Sequence, residues 1–348
     1  LKIILLYGGQ SAEHDVSKLS AFSVLNAVYY NYYQVQLVYL TKTGQWLKGP
    51  LLSEEPTSAT ILDLTPENAE VIQPCAIQEE ESIVFPLLHG PNGEDGTIQG
   101  FLETLGMPYI GAGVLTSACG MDKITTKYLL QAAGIPQVPF VPVLKSQWKE
   151  NPKKIFEQCE GTLIYPMFVK PANMGSSVGI SKAENREELQ QALIEAYKFD
   201  NRAVIEQGIE AREIEVAILG NEDVRTTQAG EIVKDVAFYD YNSKYIDNKI
   251  TMEIPAQIPD EVQIKAQEYA RLAYEMIGGT GLSRCDFFLT SKNELFLNEL
   301  NTMPGFTQFS MYPALWEQTG LKYGDLIEEL IQLGLNRYKQ RQNFIKEM

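Results

Sequence analysis

The stretch 284–310, RCDFFLTSKNELFLNELNTMPGFTQFS, is the part of the chain that most restricts its fold. It reads as two short strands joined by a polar turn at 290–294, then a loop marked by Pro304 and Gly305. Side chains alternate faces along a strand. Arg284 and Asp286 therefore share one face of the first strand, and Leu297, Glu299 and Asn301 share one face of the second. Paired as a hairpin, the strands bring two carboxylates and a carboxamide together beside a guanidinium. That set suits a hard cation such as Mg²⁺, which keeps some waters and fills its shell from carboxylates and substrate phosphates. A surface hairpin with a charged wet face would carry similar residues. The second strand, LFLNELN, is otherwise apolar, however, and a metal site gives its polar positions a reason.

The block 1–121 alternates strand and helix patterns: strands at 2–7, 35–40, 82–88 and 109–111, helices at 17–30 and 97–105, and a turn at Thr43-Gly44. Residues 51–81 are poorly patterned and read as a peripheral excursion. Such alternation predicts a parallel sheet, with ligands beyond the carboxyl ends of its strands. The turn YGGQSAEHDVS lies at one of these ends and is not a G-x-G-x-x-G fingerprint. Its Glu13 is placed to take the amine of a small substrate, or is plain loop surface. In LHGPNGEDGTIQG, His89 follows a strand and precedes a glycine; it is one of only two histidines. A structural histidine would look the same, but strand-end loops commonly carry function.

The block 122–208 opens with MDKITTKYLLQAAGIPQVPF, where Asp122 is a plausible helix N-cap and Gly134 a stop. Lys123 in the first turn opposes the helix dipole, which suggests a phosphate nearby, although a solvated lysine would read alike. In FVKPANMGSSVGISK, a strand at 167–170 delivers Lys170 to a small-residue loop at 173–179, the pattern of a mobile phosphate cover rather than a mere connector. A strand at 203–207 carries Glu206 toward a ribose or base. The block 209–348 contains an alternating strand at 212–219 and an aromatic, charged loop at 238–248 that reads as a lid. A helix at 261–277 has Asp260 as its expected N-cap. The metal hairpin, a helix at 323–333 and a solvated Lys/Gln-rich tail follow.

The formal net charge of −16 over 348 residues argues against nucleic acid or an anionic membrane as partner, so a phosphate-bearing ligand needs a local cation cluster. No apolar run reaches the ~20 residues of a membrane span, and the opening LKIILLYGG reads as a buried strand. Four scattered cysteines without metal spacing imply a reducing, cytoplasmic compartment.

Read together, GGQSAEHDVS, LHGPNGEDGTIQG, MDK, VKPANMGSSVGIS, YDYNSKY and RCDFFL…NELNTMPGFTQFS occur in the order found in ATP-grasp ligases, and closely resemble the D-alanine–D-alanine ligases. The resemblance spans essentially the whole chain. It implies an α/β, three-subdomain ATP-grasp fold: a parallel α/β domain at 1–121 and two α+β subdomains, 122–208 and 209–348, enclosing ATP. It implies an activity too, ligation of two D-alanines through a D-alanyl phosphate for peptidoglycan precursor synthesis. By this resemblance Glu13, Ser176 and Tyr245 line the substrate cavity, and His89 lies near the first carboxylate. Arg284 and the Gly305 N–H stabilise the tetrahedral oxyanion, while Ser310 and Met311 meet the second substrate. Lys123, Lys170 and Lys244 contact phosphates. Glu206, Gln207, Ile209 and Glu213 line the nucleotide pocket, with Ser177 and Asn298 also placed among the ATP ligands. Asp286, Glu299 and Asn301 carry two Mg²⁺, for which Mn²⁺ can substitute, and the family is usually homodimeric. Gln207 stands where lysine is common and Met311 where leucine is common, swaps that tune affinity. Tyr245 favours D-alanine as acceptor over D-lactate and, more weakly, over D-serine. A non-catalytic ATP-binding regulator would have lost Arg284 or a metal carboxylate, and a dehydrogenase would need the missing glycine fingerprint.

Overall fold

The structure is a computed structural model that describes residues 1–234 and 250–344. Its strands form three sheets. In the first, the apolar run Lys2–Gly8 lies between Gln34–Leu40 and Ser82–Leu87, parallel to both, with Ile3 level with Val35 and Ile83. Strands buried on both faces read as unbroken apolar runs, which these do. The sheet is nonetheless mixed. The Gly44 turn (φ +88°) closes a hairpin, so Trp46–Leu52 returns antiparallel to Gln34–Leu40, and Glu70–Ile72 pairs outside it. The expected excursion at 51–81 thus adds an edge to the sheet. Gly49-Pro50 in the middle of Trp46–Leu52 had erased its alternation. The expected strand at 109–111 reduces to one bridge, Val84 to Tyr109. The first helix runs His14–Leu25, three residues earlier than its apolar pattern suggests, with Glu13 in the N-cap position.

The second sheet, ordered Phe140–Leu144, Arg202–Gln207, Met167–Pro171, Ser181–Ala183, is antiparallel. Period two divides its faces. Met167, Val169, Ala203 and Ile205 pack against Ile155, Phe156, Leu189 and Leu193 of the helices Pro152–Thr162 and Arg186–Ala196. Val204 packs instead with Ile124 of the helix Lys123–Ala132, so Glu206, two residues on, and Lys170 are left for the opposite side.

The third sheet sets Arg212–Leu219 between Gly230–Lys234 and Leu282–Leu289, with Leu295–Asn301 beyond. Ala266, Ala270, Ala273 and Tyr274 of the helix Asp260–Met276 pack on its back. Pro259 occupies the N-cap position of that helix and no side chain caps it, so Asp260 is a first-turn acid rather than the expected cap. The last helix, Tyr323–Gln342, continues well past 333, where a solvated tail was expected. Tyr323, Leu326, Ile327, Leu330 and Ile331 join Ile3, Leu5 and Phe85 in one core. Arg337 then donates to the carbonyls of Gly111 and Tyr109 (2.9 Å for the latter), and its guanidinium lies 4.2 Å from the Tyr109 ring centroid.

Candidate active site

The hairpin Leu282–Leu289/Leu295–Asn301 has Arg284 opposite Asn301 and Asp286 opposite Glu299. The register shifts between Asp286 and Phe287, skipping Asn298, and this bulge corrects the expected face assignment. Leu297 turns into the core, fully buried, while Asn298 and Glu299 both line the cavity. Arg284 donates from Nε and Nη2 to both carboxylate oxygens of Asp286 (2.7 Å each), and Asn301 Nδ2 donates to Asp286 Oδ2 (2.9 Å). On the neighbouring strand, level with Asp286, the buried Glu215 lies 2.8 Å from Arg284 Nε. Burial opposes the guanidinium charge, but Asp286 and Glu215 hold its pKa well above the usual value. Like charges set opposite one another across strands are unfavourable. Glu215, Asp286 and Glu299 stand level on three adjacent strands, with Arg284 against the first two and the charge of Glu299 also favouring the ammoniums of Lys123 and Lys170.

Among the described residues, no group of three or more His, Cys, Asp or Glu is placed to hold a metal by itself. Asp286, Glu299 and Asn301 supply hard oxygen donors from one hairpin, which fits a cation whose remaining ligands are phosphate oxygens and water.

Facing the hairpin, Glu206 makes two ion pairs, with Lys127 (3.0 Å) and Lys170 (2.7 Å). Lys170 also donates to Asn298 Oδ1 (3.2 Å). Burial raises the Glu206 pKa, and the two lysines pull it down to about 2. Each carboxylate oxygen thereby holds a lysine, a bracing role that stands beside the expected approach of Glu206 to a ribose or base, since Glu206 also lines the cavity. Asp122 caps the next helix as expected, accepting from the Thr125 N–H at 2.8 Å. Lys123, first in that helix, donates to the Met174 carbonyl (2.5 Å), and burial lowers its pKa. Gln207 lines the cavity while its Oε1 accepts from the Ile164 N–H (3.1 Å). Ile209 and Glu213 complete this wall.

The loop at 173–179 holds Ser176 (φ +47°) and Ser177 (φ +60°) in left-handed conformations, which a non-glycine residue adopts only when its surroundings impose them. Ser176 Oγ donates to Glu13 Oε1, joining the first and second blocks over the cavity. A Cβ on Gly90 or Gly175 would fall within 2.7 Å of Glu13 Oε2, so a side chain at either position would push the Glu13 carboxylate out of its place. His89 is buried, with Nε2 3.0 Å from Ser20 Oγ, Nδ1 3.2 Å from the Met303 carbonyl and 3.7 Å from Glu94. Burial disfavours its imidazolium, but Glu94, Glu13 and the Met303 carbonyl outweigh it and raise the pKa above 6.5. A raised folded-state pKa contributes stability that is fully present below the unfolded value of about 6.5 and is lost as pH rises through the folded value. The urea midpoint of the wild type should thus exceed that of His89→Gln most in mild acid, and the gap should close in mild alkali. A gap that does not change with pH would refute this assignment.

Most of these groups, though not Lys127 or Asp122, line one cavity of about 370 Å³ drawn from all three blocks, with Gly305 among its lining residues. Ser310 and Met311 are not among its lining residues. Ser310 Oγ pairs with the Thr307 hydroxyl (2.8 Å), and Met311 is buried in the core. Tyr245, Lys244 and the loop at 238–248 lie outside the described residues. Sequence reasoning missed Lys127 and Glu215. The first lies four residues after Lys123, one helical turn on, and the second is the middle acid of REIEV.

Residues 2–112 match the family model described as D-ala D-ala ligase N-terminus, and residues 129–332 the one described as D-ala D-ala ligase C-terminus. A D-alanine–D-alanine ligase of Enterococcus hirae is 75% identical, with 99% of each chain covered. Another, from Enterococcus faecalis, is 73% identical over 97% of this chain and all of its own. Among solved structures, the D-alanine-D-alanine ligase from Coxiella burnetii superposes with a TM-score of 0.82 at 31% identity, covering 98% of this chain and 96% of that one. The VanG D-Ala:D-Ser ligase from Enterococcus faecalis gives 0.83 at 33%, covering 96% and 99%. With both family models matched in sequence order around one cavity, the chain belongs to the D-alanine–D-alanine ligase family of ATP-grasp enzymes.

Proposed function

We propose that this chain joins two D-alanines into D-alanyl-D-alanine, with ATP converted to ADP and phosphate, for the synthesis of peptidoglycan precursors. The observation that carries the reading is the cavity in which Glu13 and the Glu206-braced lysine face the hairpin that bears Arg284, Asp286 and Glu299. A carboxylate does not acylate an amine at neutral pH, because oxide is too poor a leaving group. In the first step a carboxylate oxygen of one D-alanine bonds to the γ-phosphorus and ADP departs. In the second, the amine of the other D-alanine, having lost a proton, bonds to the acyl carbon and phosphate leaves. The protein's part is positioning and charge neutralisation.

In this reading Glu13, backed by Ser176, holds the first ammonium and keeps its carboxylate turned toward the lysines. Lys123 and Lys170 take phosphate oxygens, beneath the N–H groups around Ser176 and Ser177. Arg284 and the Gly305 N–H offer donors where negative charge builds on the tetrahedral carbon. Ser310 and Met311 flank the acceptor's carboxylate, with Lys244 and Tyr245 acting from the lid. Asp286, Glu299 and Asn301 would hold two Mg²⁺, with Mn²⁺ as substitute, and the metals would neutralise phosphate charge. The division at 121 and 208, a homodimer and a cytoplasmic location belong to the same proposal. Four free thiols agree with a reducing compartment.

The similarity to a D-Ala:D-Ser ligase means that fold alone does not choose the acceptor. Purified protein given MgATP and D-alanine, with D-serine and D-lactate competing, should release phosphate and yield mainly the D-alanyl-D-alanine mass. A dominant D-alanyl-D-lactate or D-alanyl-D-serine product would overturn the acceptor. Absence of D-alanine-dependent phosphate release from folded, ATP-binding protein would overturn the ligase.

A further inference from the structure

Lys127 has no part in the mechanism above, yet it is among the most completely buried large side chains of the chain, at 1% exposure. It does not line the cavity. Its ammonium sits 3.0 Å from Glu206 Oε1 and 5.3 Å from the Phe140 ring centroid, and Phe140 is the direct strand partner of Glu206. The other Glu206 oxygen holds Lys170, which does line the cavity and reaches Asn298 on the metal hairpin. A buried ion pair is weak support for stability, since desolvation consumes most of the attraction. A third buried charge therefore calls for a reason beyond folding. Charge arithmetic supplies it. With Lys170 and Glu206 alone the pair is neutral (+1 − 1 = 0) and adds nothing to the charge that Lys123 offers a phosphate. Burial lowers the Lys127 pKa and Glu206 opposes that. With Lys127 charged the group is cationic (+2 − 1 = +1), and Lys170 and Glu206 line the cavity while Lys127 backs Glu206 from outside it.

We infer that Lys127 is a positioning residue of the nucleotide site: it shares Glu206 with Lys170, so that Glu206 fixes the Lys170 ammonium in place without cancelling its charge toward phosphate. The inference rests on the ATP-dependent reading above and adds to it a buried residue that touches no substrate.

The test is equilibrium binding of ATP, and separately of adenosine, to the full chain by calorimetry or competition, without D-alanine. Lys127→Met keeps most of the volume and leaves Glu206 paired with Lys170. It should weaken ATP binding by about 10- to 100-fold, the effect of one unit charge roughly 6–12 Å from a phosphate at an effective dielectric of about 20. Adenosine, which lacks phosphates, should change by less than about twofold. The double variant Lys127→Met/Glu206→Gln restores the net charge (+1) but gives up the ion pair that fixes Lys170, and should bind ATP more tightly than Lys127→Met without reaching wild type. Unchanged ATP affinity in Lys127→Met, or equal losses for ATP and adenosine, would overturn the proposal. So would a double variant weaker than the single one. Should Lys127→Met not fold, Lys127→Gln, which keeps a polar contact to Glu206 without the charge, takes its place with the same expected and overturning results. Wild-type protein that fails to bind ATP would instead remove the ligase reading itself, and this inference with it.

Discussion

Arg284→Met should lower kcat for D-alanine ligation by about 10²- to 10³-fold, the usual cost of removing one donor to a developing oxyanion. The same substitution should destabilise the fold by roughly 3–5 kcal/mol, because Glu215 and Asp286 lose the cation buried between them. Glu215 is 4% exposed and has little recourse to water. The two effects can be separated. Arg284→Met/Glu215→Gln removes one stranded carboxylate and should recover much of the stability while leaving kcat low. Arg284→Lys should fall between wild type and methionine, since an ammonium cannot reproduce the two parallel hydrogen bonds to Asp286. Phosphate-release kinetics and urea unfolding on the same preparations decide it. Wild-type kcat in a folded Arg284→Met protein would remove Arg284 from the mechanism.

Glu299→Gln tests the other half of the hairpin and has a different signature. Glu299 lies across from Asp286, which repels it, but its charge also favours the cations of Lys123, Lys170 and Arg284. The two effects oppose, so stability in the absence of ligand should change far less than in Arg284→Met. Activity should fall by about 10²-fold or more, in line with the several kcal/mol that a bound metal contributes to transition-state charge stabilisation. The metal concentration for half-maximal rate should rise at least about tenfold. Rate measured against free Mg²⁺ at saturating ATP, beside Mn²⁺ binding followed by magnetic resonance, would show both shifts. An unaltered metal dependence would place the cation elsewhere.

The residues that carried these expectations were legible because each broke a local pattern. Glu299 and Asn301 interrupt an apolar strand, and Lys170 ends one, so their sites could be read before their partners were known. The bulge at Asn298 could not, because one inserted residue leaves the run LFLNELN looking like an unbroken strand. Lys127 gave no sign for a different reason: at helical spacing from Lys123 it looks like any surface lysine until Glu206, 79 positions away by numbering, is set against it (206 − 127). Glu215 became meaningful only with Arg284 beside it. The last helix was cut short because its Lys- and Gln-rich sequence suggests water. Arg337 finds its partners, the carbonyls of Gly111 and Tyr109, more than 200 residues back along the chain. For Lys127, Glu215 and Arg337 the deciding contact was distant in sequence.

That last helix has a consequence for synthesis. The core around Ile3, Leu5 and Phe85 is completed by Tyr323, Leu326 and Leu330, so one apolar face of the first sheet is finished by residues made up to 245 positions after Phe85 (330 − 85). At about 5–20 residues per second, the face waits roughly 12–50 s after Phe85 is joined before its cover has been polymerised. A ribosome stalled anywhere between the two would hold a nascent chain with that surface bare, and would present it to whatever holds unfinished proteins in the cell.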